Sequence, residues 1–302
     1  MSERKIAAVD KRSGALAGAK IAFIGSGAMG EAMIGGLLAH RLVRPDTITA
    51  SDPHVPRGED LRARYGIHTT VDNREAARDA DIVVLSVKPQ VLRAVFKDLR
   101  GLLRPDALVI SIIAGARIAS IEQGLRHSRI VRTMPNTPAQ VGEGMTVWIA
   151  TAQVTPGQCE QVRTMLRALG QEFSVKEEIF LDMATAISGT GPAYVFLLME
   201  ALIDAAVHLG FSRAEARMLV LQTVRGTASF ALRSDVHPAE LRNQVTSPGG
   251  TSAHAIYQLE KGGFRTVLSK AVWAAFQRSV ALGALETQVG PFEDNDADEE
   301  GS

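Results

Sequence analysis

Short apolar runs alternate with helical patterns along residues 20–150 of this chain. The runs are rich in β-branched residues and mostly apolar on both faces, which is typical of parallel strands buried on both sides. With helical patterns between them, they predict an α/β fold built on a Rossmann-type doubly wound sheet. The predicted strands occupy residues 21–24, 48–50, 82–87, 107–113, 130–133 and 145–150.

The second half of the chain has a different pattern. A helix over about residues 155–169 and a short strand over residues 172–175 complete the first region, and strand signals stop after Glu177. Helical patterns then continue to about residue 289, with breaks at Gly and Pro positions. The predicted organisation is a disordered extension at 1–19, a Rossmann domain at 20–176, an all-α domain at 177–290 and a disordered acidic tail at 291–302.

The helical pattern over residues 192–209 is unusually apolar. Pro192 in its first turn and Gly210 after its end are typical start and stop signals. Its polar residues form one narrow stripe, because they recur at every fourth position: Glu200, Asp204 and His208. A helix this apolar must be buried on most sides, and a helical domain of this size has little room to bury it. We therefore expect a second copy of the chain to cover it.

Composition and charge exclude several classes of partner. The chain is 46% hydrophobic and 22% charged, with a formal net charge of zero, so neither nucleic acid nor an anionic membrane is an expected partner. No apolar run is expected to be long and charge-free enough to span a bilayer. The single Cys159 cannot form a disulfide within the chain, and residues before Lys20 lack the apolar stretch of a secretory signal. A cytoplasmic protein is expected, and no metal site is predicted.

A glycine pattern follows the first predicted strand. Gly25 permits a tight turn, Gly27 lets the backbone approach a pyrophosphate, and Gly30 lets the next helix pack against the strand. The preceding strand and the following helical pattern give this Gly-x-Gly-x-x-Gly string the context of a dinucleotide site. The predicted coenzyme contacts are Ile24, Gly25, Ser26, Gly27, Ala28, Met29 and Gly30.

The end of the second predicted strand bears on the choice between NADH and NADPH. Asp52 follows that strand, where a carboxylate can accept a hydrogen bond from the 2′-hydroxyl of the adenosine ribose. The same loop carries groups that could bind a 2′-phosphate, namely Ser51, His54 and Arg57. The two signals conflict, so both coenzymes stay open at this point.

Other strand ends are expected to line the coenzyme, because ligands of such sheets bind outside the carboxyl ends of the strands. The first of these ends carries Val87, Lys88 and Pro89. The next two carry Ala114 and Gly115, and then Asn136, whose amide is expected near the nicotinamide.

A turn in the helical half predicts an anion site. Residues 247–250 read Ser-Pro-Gly-Gly, a tight turn, and a helical pattern begins directly after them. Backbone N–H groups at a helix start are unpaired and attract anions. Thr251 and Ser252 place two hydroxyls beside that position. A small carboxylate with a polar atom close to it fits this arrangement.

Five motifs in order along residues 20–283 show that the chain resembles the pyrroline-5-carboxylate reductase family, whose members make proline. Written in one-letter code, the motifs are FIGSGAMG at 23–30, VKP at 87–89, MPNTP at 134–138, SGTGPAY at 188–194 and SPGGTS at 247–252. The resemblance implies a Rossmann domain and a helical dimerisation domain that intertwines with its partner in a homodimer, with further assembly of dimers left open.

The resemblance also implies roles for individual residues. The substrate carboxylate is expected at Ser247 and the amides of Gly250 and Thr251, and Ser252 is expected to face the ring nitrogen as the catalytic hydroxyl. The family's usual residue there is Thr, so this chain keeps the hydroxyl and lacks the methyl group. Glu178 matches a position close to the substrate. Coenzyme contacts carried over outside the glycine loop are Ser51, Asn73, Val87, Lys88, Ala114 and Asn136.

The implied reaction is hydride transfer from NADH or NADPH to the imine carbon of L-1-pyrroline-5-carboxylate, giving L-proline. A β-hydroxyacid dehydrogenase shares the domain plan but needs a catalytic lysine after a Gly-x-Gly in its helical domain. No lysine occurs here between Lys176 and Lys261, which argues against that reaction. Two alternatives stay open: a reductase of another cyclic imine carboxylate, and an inactive dinucleotide-binding regulatory protein.

Overall fold

Eight strands form one sheet in the computed structural model, which describes residues 14–288. The spatial order is β3-β2-β1-β4-β5-β6-β7-β8. Each neighbouring pair is parallel except β6 and β7, which run antiparallel. The strands are β1 (Ile21–Ile24), β2 (Ile48–Ser51), β3 (His68–Thr70), β4 (Ile82–Leu85), β5 (Leu108–Ser111), β6 (Ile130–Met134), β7 (Gly144–Ala150) and β8 (Gly170–Ser174).

This sheet confirms the predicted fold class and corrects two details. The run at 145–150 was expected to be a parallel strand, but β7 is antiparallel to β6 because only a short 3₁₀ segment, Thr137–Val141, connects them. A parallel neighbour requires a longer crossover connection. The edge strand β3 is absent from the predicted runs, since its His-Thr-Thr sequence is partly exposed and carries no apolar signal.

Helices cover both faces of the sheet and follow in the second half of the chain. Side chains of β1 alternate between two buried clusters: Phe23 packs in one and Ala22 and Ile24 in the other, so both faces are covered. The helices are α1 (Ala28–Ala39), α2 (Val55–Tyr65), α3 (Asn73–Ala77), α4 (Leu92–Leu99), α5 (Ile118–Leu125), α6 (Pro156–Arg167), α7 (Ile179–Ala184), α8 (Gly191–His208), α9 (Arg213–Leu232), α10 (Pro238–Gln244), α11 (Thr251–Lys261) and α12 (Phe264–Gln288).

Leu16 corrects the extent of the predicted disordered extension. Its side chain is 1% exposed and belongs to the core of the first unit, so ordered structure begins before residue 20. The remainder of that extension, residues 1–13, and the predicted tail at 291–302 lie outside the described residues.

The chain divides into two compact units at a different place from the predicted boundary near Lys176. Among the described residues, the first unit comprises those up to Gly189 together with those from Phe276 onward, and the second comprises Thr190–Ala275. The reason is that α7 belongs to the sheet unit, where Leu181 and Asp182 are fully buried. The end of α12 returns to that unit.

A buried ionic cluster joins α7 and the end of α12 to the sheet. The Asp182 carboxylate accepts a hydrogen bond from Ser279 Oγ at 2.7 Å and lies 2.9 Å from Arg117 Nη2. Arg132 on β6 is 2% exposed, and its guanidinium lies 2.7 Å from Glu178 and 3.9 Å from Asp182. Charges this deeply buried are tolerated because each has an opposite partner.

The second unit contains α8–α11 and the start of α12, and it leaves much apolar surface uncovered. α8 packs against α9, but none of its residues is buried. Phe196 and Leu197 are 64% and 66% exposed. Further exposed apolar side chains are Val195, Leu198, Leu202, Met218, Leu219, Phe230 and Leu232.

The expectation that no segment has the length and composition to span a bilayer is wrong. Among the described residues, the helical stretch Ile179–His208 contains an 18-residue window of mean hydropathy 1.4, of which 6% is buried. One such helix is weak evidence for a membrane span, because helices buried in soluble proteins meet the same criterion.

Asp182→Asn is expected to lower the free energy of unfolding by about 3 kcal/mol, because Arg117 and Arg132 lose a buried anion. Chemical denaturation at one fixed protein concentration measures the change. Asp46→Asn is the control, since its pair with Arg44 is solvent-exposed and the expected loss is below about 1 kcal/mol. Equal losses in the two variants would contradict the structural role of the cluster.

Candidate functional site

The glycine loop joins β1 to α1 and touches the end of β4. Gly25 has φ +87°, and a Cβ there would lie 2.7 Å from Val87 Cγ1 and 2.9 Å from the Ser86 carbonyl oxygen. A Cβ on Gly30 would lie 3.1 Å from both the Gly25 carbonyl oxygen and Ser86 Oγ. Both glycines are therefore required by the turn and by close packing of helix and strand.

Gly27 differs from these two glycines. Its φ is −62°, and a Cβ there would meet no atom of the described residues within 4 Å. It is the N-cap of α1 and has no side-chain cap among those residues. The loop thus leaves open space in front of the first N–H groups of α1, where a pyrophosphate can bind. Ile24 is fully buried below the loop, and Ala28 and Met29 form the first turn of α1.

Asp52 lies beside the glycine loop and binds the loop itself. Its Oδ2 accepts hydrogen bonds from Ser26 N at 3.1 Å and Ser26 Oγ at 2.8 Å, and its Oδ1 accepts one from His54 N at 3.0 Å. The carboxylate therefore fixes the loop to the end of β2. Its predicted contact with the adenosine ribose stays a prediction.

Ser51 and Asn73 form a hydrogen-bonded chain with Asp98, a residue that the sequence did not indicate. Ser51 Oγ donates to Asn73 Oδ1 at 2.7 Å, and Asn73 Nδ2 donates to Asp98 Oδ2 at 2.8 Å. Asp98 lies on α4, whose charged residues resemble an ordinary solvated helix face in the sequence. The structure thus brings two predicted coenzyme residues together and adds a third that orients them.

Arg57, a predicted candidate for a 2′-phosphate, bonds to the glycine loop and to α1. Its Nε and Nη2 donate to the Ser26 carbonyl oxygen at 2.9 and 2.7 Å, and Nη2 also donates to the Glu31 carboxylate. The other candidate, His54, is exposed. Glu31 was not indicated by the sequence either, because its contacts come from residues more than twenty positions away.

The remaining predicted coenzyme residues lie at strand ends within the first unit. Val87 contacts Gly25, Lys88 is exposed, and Pro89 begins the 3₁₀ turn Pro89–Val91. Ala114 is half-buried, and Gly115 has φ +81°, where a Cβ would lie 3.3 Å from Leu282 Cβ. Their contacts with a coenzyme stay predictions.

Asn136 and Glu178 each connect two segments of the first unit through hydrogen bonds. Asn136 Nδ2 donates to the Ser188 carbonyl oxygen at 3.1 Å, and its Oδ1 accepts from Met145 N at 2.8 Å. Glu178 Oε1 accepts from Ile118 N at 2.9 Å and from Arg132 Nη1 at 2.7 Å. The amide of Asn136 thus links the loop after β6 to β7, and Glu178 binds the start of α5. Their predicted roles at the nicotinamide and the substrate stay predictions.

The second unit contains the predicted anion turn. Gly250 N donates to the Ser247 carbonyl oxygen at 3.1 Å, and Gly249 has φ +73°, as expected for a tight turn with Pro248 before it. Ser247 Oγ lies above Gly250, where a Cβ would come within 2.5 Å of it. The helix that follows, α11, begins at Thr251 with half-buried Ser252 in its first turn.

The start of α11 has the features of a carboxylate site. Gly250 is its N-cap, and no side chain of the described residues caps it. One short segment, residues 247–252, carries the first N–H groups of the helix and the hydroxyls of Ser247, Thr251 and Ser252. Unpaired N–H groups at a helix start attract an anion. Among residues 14–288, no group of three or more potential metal ligands is found.

Two family models match the chain. Residues 178–282 match a model described as pyrroline-5-carboxylate reductase dimerisation. Residues 20–115 match one described as NADP oxidoreductase coenzyme F420-dependent. The matches cover the helical half and the first part of the sheet unit, respectively.

Relatives and solved structures agree with these models. Pyrroline-5-carboxylate reductases of Pseudomonas aeruginosa and Synechocystis are 46% and 43% identical, over 87% of this chain and 96% and 98% of their own lengths. The structure of such a reductase from Coxiella burnetii has TM-score 0.82 at 39% identity, covering 87% of this chain and 98% of that one. A Plasmodium falciparum pyrroline carboxylate reductase with NADP bound has TM-score 0.80 at 35% identity, with coverage of 88% and 98%. The chain belongs to the pyrroline-5-carboxylate reductase family.

Proposed function

We propose that this protein reduces L-1-pyrroline-5-carboxylate to L-proline with NADH or NADPH, the last step of proline biosynthesis. The observation that carries the proposal is the uncapped start of α11 behind the turn at residues 247–250, in a chain that also holds a glycine loop. One segment suits a small carboxylate, and the other suits a dinucleotide.

The glycine loop fits a dinucleotide by its own geometry. The open space at Gly27 and the uncapped start of α1 can take a pyrophosphate, whose charge the helix terminus attracts. Ser26 is 1% exposed and held by Asp52, so the loop is fixed before a coenzyme binds. The bound coenzyme supplies a hydride from its nicotinamide ring.

The anion turn orients the substrate. A carboxylate bound by the Ser247 hydroxyl and the first N–H groups of α11 leaves the imine ring beside Thr251 and Ser252. Reduction adds a hydride to the imine carbon, and the nitrogen takes a proton. Ser252 Oγ can hydrogen-bond that nitrogen, but a free hydroxyl is too weak an acid to be the proton source alone, so solvent or prior protonation supplies it. Most of the rate is then due to orientation.

We further propose a homodimer, in which a second copy covers the apolar side of α8. The exposed side chains Phe196, Leu197 and Leu198 support this, because each buried one contributes about 1.5–3 kcal/mol. The match of residues 178–282 to a dimerisation model supports it as well. Assembly of dimers into larger oligomers and a cytoplasmic location are parts of the same proposal, and the single Cys159 agrees with the latter.

Turnover of NADH and NADPH with freshly prepared pyrroline-5-carboxylate tests the reaction. We expect coenzyme oxidation and formation of proline, with slower turnover of a six-membered piperideine carboxylate. Failure to oxidise either coenzyme with any cyclic imine would refute the enzymatic function.

Gly27→Val is expected to abolish coenzyme binding while the fold is kept, with a loss of stability of about 1 kcal/mol because valine is a poorer N-cap residue than glycine. The side chain enters the open space that the pyrophosphate needs, while its φ of −62° is ordinary for any residue. Fluorescence titration with NADH and NADPH measures binding, and thermal unfolding without coenzyme measures stability. Gly25→Ala is the contrasting variant, because its positive φ and close contacts predict a larger loss of stability. Retained binding in Gly27→Val would exclude the loop as the pyrophosphate site.

Ser252→Ala is expected to lower kcat about 10- to 100-fold, the effect of one lost hydrogen bond to the reacting nitrogen. Steady-state kinetics measures kcat, and coenzyme titration is expected to be unchanged. Ser252→Thr is the matched control, because it keeps the hydroxyl and should retain most of the activity. Equal kcat values for Ser252→Ala and the unaltered protein would show that the Ser252 hydroxyl has no role in the chemical step.

Leu198→Asp is expected to cause dissociation with aggregation or unfolding, because it places a charge in the proposed interface. Light scattering at low micromolar concentration should give the unaltered protein twice the 32.3 kDa mass of one chain or a multiple of that. Val71→Asp is the control, since Val71 is 60% exposed in the first unit. A folded, active species with the mass of one chain would refute the dimer.

A further inference from the structure

The guanidinium of Arg57 is already bound on every side that the structure describes. Nε and Nη2 form a fork on the Ser26 carbonyl oxygen at 2.9 and 2.7 Å, and Nη2 also pairs with Glu31. Nη1 lies 3.4 Å from Asp60 Oδ2. The side chain is 24% exposed. A cation with two carboxylate partners has less attraction left for a further anion.

Glu31 holds Arg57 in this position. It lies in the first turn of α1, and its Oε1 accepts hydrogen bonds from Arg64 Nη1 and from Tyr65 Oη. Burial opposes ionisation of Glu31, but the hydrogen bonds from Arg57, Arg64 and Tyr65 outweigh it and hold its pKa below the ordinary value. Glu31 is therefore charged at neutral pH, and its pair with Arg57 persists.

The hydrogen bonds that link Asp98, Asn73 and Ser51 determine which groups at the end of β2 donate and which accept. An ionised carboxylate can only accept, so Asn73 must present its NH₂ group to Asp98 and its oxygen to Ser51. The hydroxyl proton of Ser51 is consequently committed to Asn73 Oδ1. Ser51 Oγ retains only acceptor capacity toward any other group.

The end of β2 therefore presents acceptors and negative charge. Asp52 adds a carboxylate whose Oδ1 accepts a hydrogen bond from His54 N and retains further acceptor capacity. A ribose 2′-hydroxyl can donate to such acceptors, whereas a 2′-phosphate is itself an acceptor with negative charge and is repelled by Asp52. The carboxylates of Glu31 and Asp60 already pair with Arg57, and the Asp52 carboxylate binds the same Ser26 whose carbonyl oxygen Arg57 holds.

We propose that this site selects NADH over NADPH, and that Glu31 is the residue that sets the selectivity by keeping Arg57 on the Ser26 carbonyl and its own carboxylate. The inference rests on the coenzyme-dependent reduction proposed above, and it makes Glu31 a positioning residue that acts through Arg57. The sequence alone left both NADH and NADPH open for the loop after β2, and this proposal commits to NADH.

Coenzyme titrations of the full-length protein without substrate test this selectivity. The unaltered protein is expected to bind NADH at least about tenfold more tightly than NADPH, measured by nicotinamide fluorescence. In Glu31→Gln, which removes the charge and keeps the shape, the Kd for NADPH is expected to fall at least about fivefold, while that for NADH changes less than about twofold. The ratio of kcat/KM with NADH to kcat/KM with NADPH is expected to change by the same factor as the ratio of the two binding affinities.

Two further variants separate the role of Arg57 from general damage. Arg57→Met alone should leave the NADH-to-NADPH ratio within about twofold of the unaltered protein, because Arg57 does not bind a 2′-phosphate while Glu31 holds it. Added to Glu31→Gln, the same change should cancel the gain in NADPH binding. Asp60→Asn is the matched control for Glu31→Gln, since Asp60 is 47% exposed and is expected to shift the ratio much less.

Preference of the unaltered protein for NADPH, or a tenfold loss of NADPH binding relative to NADH in Arg57→Met, would overturn the proposal. An unchanged ratio in a folded Glu31→Gln variant, with normal thermal unfolding, would do the same. Absence of imine reduction with both coenzymes would instead refute the proposed function, and the binding ratio would still decide the selectivity.

Discussion

The close contact between the glycine loop and the end of β4 determines the geometry of the whole coenzyme side of this protein. Ser86 Oγ donates to the Gly25 carbonyl oxygen at 2.5 Å, and Gly25 N donates to the Ser51 carbonyl oxygen at 2.9 Å. A Cβ on either Gly25 or Gly30 would disrupt this contact. The loop is bound to β4 on one side and to β2 on the other, and these contacts hold the start of α1 in place relative to the sheet. The contacts of Ser26 with Asp52 and Arg57 depend on that position.

The sequence predicted those features of the fold and site that are local. The strand runs are apolar, and the glycine string and the Ser-Pro-Gly-Gly turn are contiguous, so each carries its own signal. It could not reveal β3, whose residues are polar and lie at a sheet edge, or the reversed direction of β7, which depends on the length of one connection. The pairing of Glu31 with Arg57 and of Asp98 with Asn73 was also hidden. These residues are distant in the chain, and a charged residue on a helix usually faces solvent.

Apolar composition alone could not show what covers α8. The stretch Ile179–His208 has the length and hydropathy of a membrane helix, yet its first part contains Asp182, which is fully buried and ion-paired within the first unit. Its second part is apolar on most sides and exposed in a single chain. A helix can thus meet a hydropathy criterion because it is built for contact with protein. The match of residues 178–282 to a dimerisation model agrees with a surface that one chain does not bury.

The return of α12 to the first unit has a consequence for synthesis on the ribosome. The chain leaves that unit after Gly189 and rejoins it at Phe276, so the sheet unit is discontinuous in sequence. Its buried Asp182 receives the Ser279 hydroxyl, and its Gly115 loop receives Leu282, only when the final segment has emerged. Until then a nascent chain carries a completed sheet in which Asp182 has its arginine partners but lacks the hydrogen bond from Ser279, and Gly115 lacks its contact with Leu282. The first unit in sequence is therefore completed last, and translation of the helical unit sets the time for which these two contacts are missing.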